Sequence, residues 1–335
     1  MDGKDNQCLP SLRRPRSVFG QVAGVGYICM VMLAFFRTIL IVVPVFITTS
    51  GMLQGQPATG CGKAGDTLLM ILGQINDSQS DTARDSLNNM FASTLRRVLE
   101  QPGGGSCTFE HIPSLIRIAP PGDEFRIYHW NLPDRSGRNR YRGFIRMNAK
   151  NGPTVFELCD VSDTLEQADS VILRAPSWFG ALYYRVIPGT MSDGRTCYTL
   201  LGWSGKDATI TRKVIDVLSF GPGNQPVFGA KIFKGYGQGR PSRIIFWYSA
   251  STTMSLRCER QKVTIPGSWN PVKRKFTVET IETEVISFDR MVPLDPQLLG
   301  QYRFYVPAGE LVDRFVQDHG GWTFITGENP ANDRP

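Results

Sequence analysis

Histidine is scarce in this sequence, with three residues among 335. His111, His129 and His319 are far apart, and none belongs to a metal-type spacing such as H-E-x-x-H. A zinc site or a histidine-based catalytic triad is therefore not expected. His129 alternates with Tyr128 and Trp130 in a strand-like run, a pattern that predicts a partly buried structural histidine.

Complete catalytic and nucleotide-binding motifs are also missing. The run GWSGK (202–206) resembles the nucleophile elbow G-x-S-x-G, but its second glycine comes one residue early. In GCGKAG (60–65), Pro57 stands in place of the first glycine of a phosphate loop, and Ala64 in place of the required Ser or Thr. The glycine-rich run KGYGQGRP (234–241) joins two strand-like runs and is typical of a hairpin loop. We therefore expect no cofactor and no metal, and the sequence does not favour an enzyme.

A strong charge of one sign is absent as well. The formal net charge is +7, from 37 basic and 30 acidic residues. Residues 1–55 contain five basic and two acidic residues, a net +3, so the rest of the chain carries +4. This mild charge neither demands nor excludes a polyanionic partner, and a nucleic acid is not an expected partner.

Near the N-terminus, residues 25–49 form a long apolar run, VGYICMVMLAFFRTILIVVPVFITT, which Arg13, Arg14 and Arg16 precede. An apolar run behind a basic flank is typical of a signal anchor, and one interpretation retains residues 18–48 as a membrane anchor. The arginine inside the run argues against this interpretation, because a charge in the middle of a membrane span is costly.

A cleaved secretory signal gives the internal arginine a role. If translation starts at Met30 or Met32, MLAFFR is a basic n-region, TILIVVPVFI is the apolar core and TTSGMLQGQ contains the cleavage site. We therefore predict that residues 1–55 are a signal sequence, with residues 1–29 a start-site artefact, and that the mature chain begins near Gln56. The expected location is the periplasm or the outer membrane, with membrane association only through this segment or a partner.

Five cysteines follow the predicted signal, and no two of them form a C-x-x-C pair. They are Cys61, Cys107, Cys159, Cys197 and Cys258. In an oxidising compartment some should form disulfides, and because five is odd, at least one stays free or joins another chain. Cys61 precedes the first predicted helix and Cys107 follows the second. A Cys61–Cys107 disulfide is therefore the preferred pairing, and the pairing of the other three stays open.

The mature chain divides into a helical part and a β part. Residues 64–101 show apolar positions at helical spacing in two segments, and QPGGGS (101–106) ends the second, which predicts a helical hairpin over residues 56–110. Over residues 111–335, strand-like runs alternate with turn residues, which indicates successive antiparallel hairpins with one short helix at 161–170. The predicted fold class is α+β, mainly β: a helical hairpin followed by an antiparallel β-meander, with barrel, sandwich and propeller-like arrangements left open.

Four runs carry a resemblance to a known family: FRIYHWN, YYRVIPG, CYTLLGWSGKDATITRKVIDVLSF and LDPQLLGQYRFYVPAGELVD. In these runs and in their order, the chain resembles the exported, functionally uncharacterised proteins of about this size found in Bacteroidetes. The resemblance covers most of the mature chain, residues 64–326. It implies export in a Gram-negative cell and supplies no activity.

Asp216 is the acidic residue whose pattern raises the question of chemistry. In RKVIDVLSF it alternates onto the face of Val214, Leu218 and Phe220, where a carboxylate is costly unless it is paired. One interpretation is a buried ion pair or backbone cap. The other is a general acid or base with a raised pKa, acting with a second carboxylate. The candidates for that second carboxylate are Asp160, Asp207 and Asp289.

Basic residues are concentrated in the run DRSGRNRYRGFIRM, whose arginines are Arg135, Arg138, Arg140, Arg142 and Arg146. At a hairpin tip, such residues can hold phosphate, lipopolysaccharide or an acidic partner; a solvated turn is the alternative interpretation.

The run CYTLLGWSGKDATITRKVIDVLSF contains a second candidate binding surface, at Trp203 and Lys206. Its two strands are predicted to belong to neighbouring hairpins, with Trp203 packed at the edge of the sheet. We interpret the main role of the segment as structural, with a binding surface as the second interpretation.

The predicted function is that of a non-catalytic exported envelope or periplasmic protein, an interaction or accessory module in an outer-membrane or secretion assembly, with an envelope protein as its partner. The binding residues of this prediction are Arg135, Arg138, Arg140, Arg142, Trp203 and Lys206. The alternative is a hydrolase or carbohydrate-active protein that uses Asp216 with a second carboxylate.

Overall fold

The computed structural model describes residues 59–148, 152–237, 239–270 and 274–327. The predicted signal sequence and the alternative membrane anchor lie outside the described residues. Within these ranges, no helix is both long enough and apolar enough to cross a bilayer.

Two helices joined by a short turn begin the described chain: α1, Thr59–Asp77, and α2, Asp81–Leu99. Ser80 caps α2, because its hydroxyl accepts a hydrogen bond from a backbone N–H of the first turn at 3.3 Å. A disulfide joins Cys61 to Cys107, with a Cα–Cα distance of 5.4 Å. The predicted clamp at the open end of the helical hairpin is therefore confirmed.

The rest of the described chain is mainly β-structure. In chain order, its strands are β1 (Ile116–Ile118), β2 (Phe125–Pro133), β3 (Asn139–Met147), β4 (Thr154–Asp160), β5 (Leu173–Arg174), β6 (Ser177–Trp178), β7 (Leu182–Thr190), β8 (Thr196–Gly205), β9 (Ile210–Phe220), β10 (Pro226–Phe228), β11 (Phe233–Lys234), β12 (Ile244–Ser249), β13 (Leu256–Asn270), β14 (Lys275–Pro293), β15 (Tyr305–Asp318) and β16 (Gly321–Ile325).

These strands form three sheets. The first sheet has the order β1-β2-β3-β4-β6, and the middle sheet the order β5-β10-β9-β8-β7, with β12 also paired to β9. The third sheet has the order β11-β16-β15-β14-β13. Most neighbours are antiparallel, with parallel pairing only between β4 and β6 and between β11 and β16 among the described strands. The predicted class, α+β and mainly β, is therefore confirmed, and the sheets are open.

The helical hairpin and the three sheets pack as successive layers around three apolar clusters. Because side chains of a strand alternate between faces, β2 sends Tyr128 and Trp130 towards the helices and Ile127 towards the middle sheet. In the middle sheet, β9 likewise sends Val214 to the cluster shared with the first sheet and Ile215 to the cluster shared with the third. The middle sheet is therefore covered on both faces.

Strands β7 to β10 follow one another as a meander. β7 pairs with β8 and β9 with β10, so the prediction that β8 and β9 belong to neighbouring hairpins is confirmed, and β8 and β9 also pair directly with each other. The connection between them is a tight turn, because the Asp207 carboxylate accepts hydrogen bonds from the backbone N–H groups of Thr209 and Ile210 at 2.8 and 3.0 Å. The short helix predicted at 161–170 is reduced to one 3₁₀ turn, Ser162–Thr164, followed by irregular turns.

Strands β13 and β14 form a long ribbon that the sequence analysis misses. They pair from Leu256↔Phe288 to Asn270↔Lys275, whereas β15 pairs with β14 only from Val285 onward. The outer part of the ribbon is therefore two-stranded.

Candidate functional site

Two turns from different sheets meet at one end of the molecule. The turn between β2 and β3 is held by Asp134, whose carboxylate accepts from the backbone N–H groups of Ser136 and Arg138 at 2.8 and 3.0 Å. Beside it lies the turn between β8 and β9, to which it is joined by a hydrogen bond from the Asn139 N–H to the Lys206 carbonyl at 3.2 Å. The structure therefore brings together two segments that are far apart in sequence and that both contain predicted binding residues.

Between these turns lies a cleft of about 470 Å³. Its lining residues are Ser136, Arg138, Ser162, Asp163, Leu165, Lys206, Asp207, Arg212 and Trp247. Three of them are cationic and two are carboxylates, so the lining has a formal net charge of +1. Two of the predicted binding residues, Arg138 and Lys206, belong to this cleft.

The base of the cleft contains Arg212, whose exposed fraction is 1%. Its Nε–H donates to the Ser204 carbonyl at 3.2 Å, and its guanidinium carbon lies 5.1 Å from the ring centre of Phe179 and 5.0 Å from that of Trp247. Burial lowers the pKa of Arg212, and the charge of Asp160 raises it. Among the described residues, no carboxylate oxygen lies within 4 Å of this guanidinium, and no acceptor bonds its two terminal nitrogens.

Trp247 forms an aromatic wall of the cleft. The Lys206 ammonium lies 5.2 Å from the centre of its indole ring, within the range of a cation–π interaction. The ring of Tyr302 stacks on the same indole, with centres 5.5 Å apart and planes inclined by 24°. Tyr302 belongs to the segment after β14, which also exposes Leu294 and Leu299, at 66% and 76%. The segment that contacts Trp247 therefore also carries exposed apolar side chains.

The other predicted arginines hold the helical hairpin instead. Arg135 donates to the carbonyl of Gln79 in the turn between the helices, and Arg140 forms an ion pair with Asp85 of α2 at 2.6 Å. Because the helical hairpin packs over this end of the first sheet, these guanidinium groups find acceptors on the hairpin rather than in solvent.

Arg142 bridges two elements in the same way. It bonds Asn89 of α2 at 2.6 Å and Glu157 of β4 at 2.6 Å. The prediction of a single binding surface formed by the arginines of this hairpin is therefore corrected: of the four that were named, Arg138 lines the cleft, and the other three contact the hairpin.

Trp203 lies near the cleft but does not line it. Its ring is partly buried against the cluster shared by the first and middle sheets, with an edge contact to Tyr141 at 6.5 Å between ring centres. The Tyr141 hydroxyl in turn donates to the Gly205 carbonyl at 3.2 Å. Trp203 therefore packs at the end of its strand.

Asp216 is fully buried, and both of its carboxylate oxygens accept hydrogen bonds. Its carboxylate accepts from Arg243 Nε at 3.1 Å, from the Tyr183 hydroxyl at 3.1 Å and from the Val217 N–H at 2.8 Å. Trp178 completes the network by donating to the Tyr183 hydroxyl at 3.0 Å. This closed arrangement matches the interpretation of Asp216 as a buried ion pair, and it leaves no approach for a substrate.

His129 is also buried within the protein. Its Nε2 accepts from the Tyr183 N–H at 2.7 Å, so the ring proton is on Nδ1, which donates to the Ile116 carbonyl at 3.1 Å. Burial lowers the pKa of His129 to about 4, against the weaker effect of these two hydrogen bonds. In the described chain, no group of three or more His, Cys, Asp or Glu side chains could hold a metal ion.

A larger cleft, of about 850 Å³, lies between the end of α2 and the first sheet. Its two arginines have acceptors: Arg126 bonds the Gly105 carbonyl at 2.7 Å, and Arg146 bonds the Leu99 carbonyl at 2.9 Å. Among the described residues that line it, this cleft therefore has no cation that is available to a ligand.

Arg212 and Trp247 are two of the cleft residues that the sequence analysis misses. A usable signal for Arg212 exists, because it alternates with Val214 and Asp216 onto one face of β9. The reasoning that singled out a buried carboxylate on that face applies equally to a buried guanidinium. Trp247 carries no such signal, since it stands within an unbroken apolar and aromatic run, IIFWY (244–248).

Comparisons with known proteins do not extend this description: no family model matches the chain, and neither the curated proteins nor the solved structures contain a match.

Proposed function

We propose that the protein acts after export as a non-catalytic interaction module of the cell envelope, and that it binds an acidic partner protein at the cleft between the two turns. The proposal places it in the periplasm or at the outer membrane of a Bacteroidetes cell, in line with the sequence resemblance. The observation that carries it is the convergence of Arg138, Lys206 and Arg212 on one cleft.

The surroundings of the cleft support a protein as the partner. Arg, Trp and Tyr are enriched in the parts of interfaces that dominate binding energy, and here Arg212, Trp247 and Tyr302 form a continuous series of contacts. The adjoining Leu294 and Leu299 add exposed apolar area of the kind that partners cover. Basic, aromatic and apolar groups side by side fit a protein surface better than they fit a sugar or a nucleic acid.

A hydrolase that uses Asp216 is not favoured. It needs a carboxylate that reaches a substrate, and Asp216 is enclosed with Arg243 in the core.

The proposal is tested by affinity purification of the tagged protein from its native cells in mild detergent, followed by mass spectrometry. The test variant is the double substitution Arg138→Ala/Lys206→Ala. The matched control is Arg195→Ala, because Arg195 is an exposed arginine in the turn at the opposite end of β8 and its ion pair with Asp193 is exposed too.

We expect a stoichiometric envelope protein with the wild type and with the control, and a recovery about fivefold lower with the double variant. A lone protein from wild-type cells would overturn the proposal. So would a partner that the double variant captures as well as the wild type does.

A further inference from the structure

Arg212 has fewer hydrogen-bond acceptors than the other two buried arginines of the described chain, although Nη2 of Arg243 also lacks one. Arg243 meets the carboxylate of Asp216, and its Nη1 donates to the carbonyls of Ala168 and Val171 at 2.6 and 2.9 Å. Arg146 uses Nε and both terminal nitrogens on acceptors of its own chain. Arg212 has only the Ser204 carbonyl, on Nε, within the part of the chain that the structure describes.

The charge of Asp160 acts on Arg212 without forming an ion pair with it, and a buried guanidinium whose terminal nitrogens have no hydrogen-bond acceptor is expensive. Arg212 lines the cleft, and its terminal nitrogens are the part of the guanidinium that makes no hydrogen bond within the described chain. From this geometry we infer that the cleft takes one carboxylate group, which pairs with the Arg212 guanidinium. The inference rests on the proposed function, since it names the chemical group that the partner would insert.

The charge of the lining favours a carboxylate over a phosphate. Asp163 and Asp207 offset two of the three cations of the lining, and Asp160 also acts on Arg212, so the site has no positive charge in excess of that of one monoanion. A phosphate dianion has a second negative charge, which the two carboxylates of the lining would repel. The planar guanidinium also presents parallel N–H groups, whose spacing fits the two oxygens of a carboxylate.

The neighbours of Arg212 hold it ready for such a group. Because its guanidinium lies against the rings of Phe179 and Trp247, it is already desolvated and its orientation is restricted. Ser204 fixes the Nε end, so the terminal nitrogens are the free end of the side chain. Lys206, over the same indole, adds a second positive charge at the mouth of the cleft.

The test is a titration of the purified protein followed by NMR on the arginine Nε–Hε signals at constant ionic strength. The Arg212 signal is assigned by its loss in Arg212→Lys. The probes are sodium acetate, sodium phosphate and a capped tripeptide with a central aspartate, with sodium chloride as the reference salt. We expect a saturable shift of this signal with acetate and with the peptide, and a dissociation constant about tenfold higher for phosphate.

Lys206→Ala should weaken acetate binding about threefold to tenfold, and Arg195→Ala should leave it unchanged. Lys206→Ala keeps the test valid if Arg212→Lys fails to fold. If the peptide binds more tightly than acetate, the natural carboxylate belongs to a protein chain. If the two bind equally, it belongs to a small acid.

A shift that does not saturate, an equal response to chloride, or an affinity unaffected by Lys206→Ala overturns the inference. The two proposals fail separately. A partner captured through the cleft without any acetate-dependent shift keeps the proposed function and removes the carboxylate site. A saturable shift without any partner keeps the carboxylate site and removes the interaction module.

Discussion

Asp216 of β9 and Arg243 form an ion pair in which neither side chain has measurable exposure, with Oδ1 and Nε 3.1 Å apart. The carboxylate is further bonded by the Tyr183 hydroxyl, and the guanidinium by two backbone carbonyls. Each charge is therefore compensated on more than one side. The pair joins β9 to the segment before β12 and to the turns around residue 170.

Removing one partner of this pair should be more damaging than removing both. Asp216→Asn keeps the shape but leaves the Arg243 charge uncompensated in the core, and we expect a loss of about 3–5 kcal/mol in the free energy of unfolding. The double variant Asp216→Leu/Arg243→Met should lose less than this, because it leaves no buried charge. Urea denaturation followed by circular dichroism measures both. Equal losses in the single and double variants would contradict the prediction, and the exposed change Asp193→Asn is the control.

His129 should make the protein less stable in mild acid. Its pKa is about 4 in the folded protein and about 6.5 in the unfolded chain, so between these values only the unfolded chain binds the proton. The contribution of neutral His129 is complete above pH 6.5 and is lost as the pH falls towards 4. Between pH 7 and pH 5, we expect the free energy of unfolding to fall by about 2 kcal/mol more in the wild type than in His129→Gln. Identical pH slopes in the two proteins would falsify this assignment.

The disulfide should stabilise the whole protein by restricting the unfolded chain. Cys61 and Cys107 are 46 residues apart, and loop entropy for that separation gives about 4 kcal/mol. We expect Cys61→Ala/Cys107→Ala to lower the free energy of unfolding by roughly this amount at neutral pH. The comparison is with Cys197→Ala, which removes a free buried thiol. A double variant as stable as the wild type under non-reducing conditions would show that the bond contributes nothing.

Arg142 should matter for stability rather than for binding. Its guanidinium bridges Asn89 of α2 and Glu157 of β4, so Arg142→Ala removes charge-assisted hydrogen bonds between the helical hairpin and the first sheet. We expect a loss of about 1–3 kcal/mol in the free energy of unfolding, and a change below about 0.5 kcal/mol for the exposed Arg195→Ala. Partner capture should be unchanged in both. If Arg142→Ala were as stable as the wild type but no longer captured the partner, Arg142 would belong to the binding surface and the prediction would be wrong.

Local patterns were sufficient to predict the elements whose formation depends on neighbours in sequence. The apolar spacing in α1 and α2, the glycines after α2 and the placement of Cys61 and Cys107 all point to the same clamped hairpin, and the structure contains it. The pairing of strands is different in kind. β12 pairs with β9. An apolar strand such as β12 can be buried in either of two sheets, so its local sequence does not predict which strand it will pair with.

The site shows the same division between local and distant information. Lys206 and Arg138 stand on turns that their own residues specify, so their positions at turns could be predicted, and the structure shows both side chains half-buried there. Their meeting depends on how the first sheet lies against the middle sheet, which sequence spacing does not encode. Arg135, Arg140 and Arg142 look alike in sequence, and only the position of α2 decides which guanidinium groups become structural.

The double coverage of the middle sheet has a consequence for how the protein comes apart. Val214 and Leu218 of β9 belong to one apolar cluster, while Ile215 and Val217 belong to the next. Pulling either neighbouring sheet away uncovers one side of the same strand, and a shift of β9 by one residue exchanges both sides at once. Because both clusters include side chains of β9, neither can unfold while the other stays packed. We therefore expect the two to unfold in a single transition.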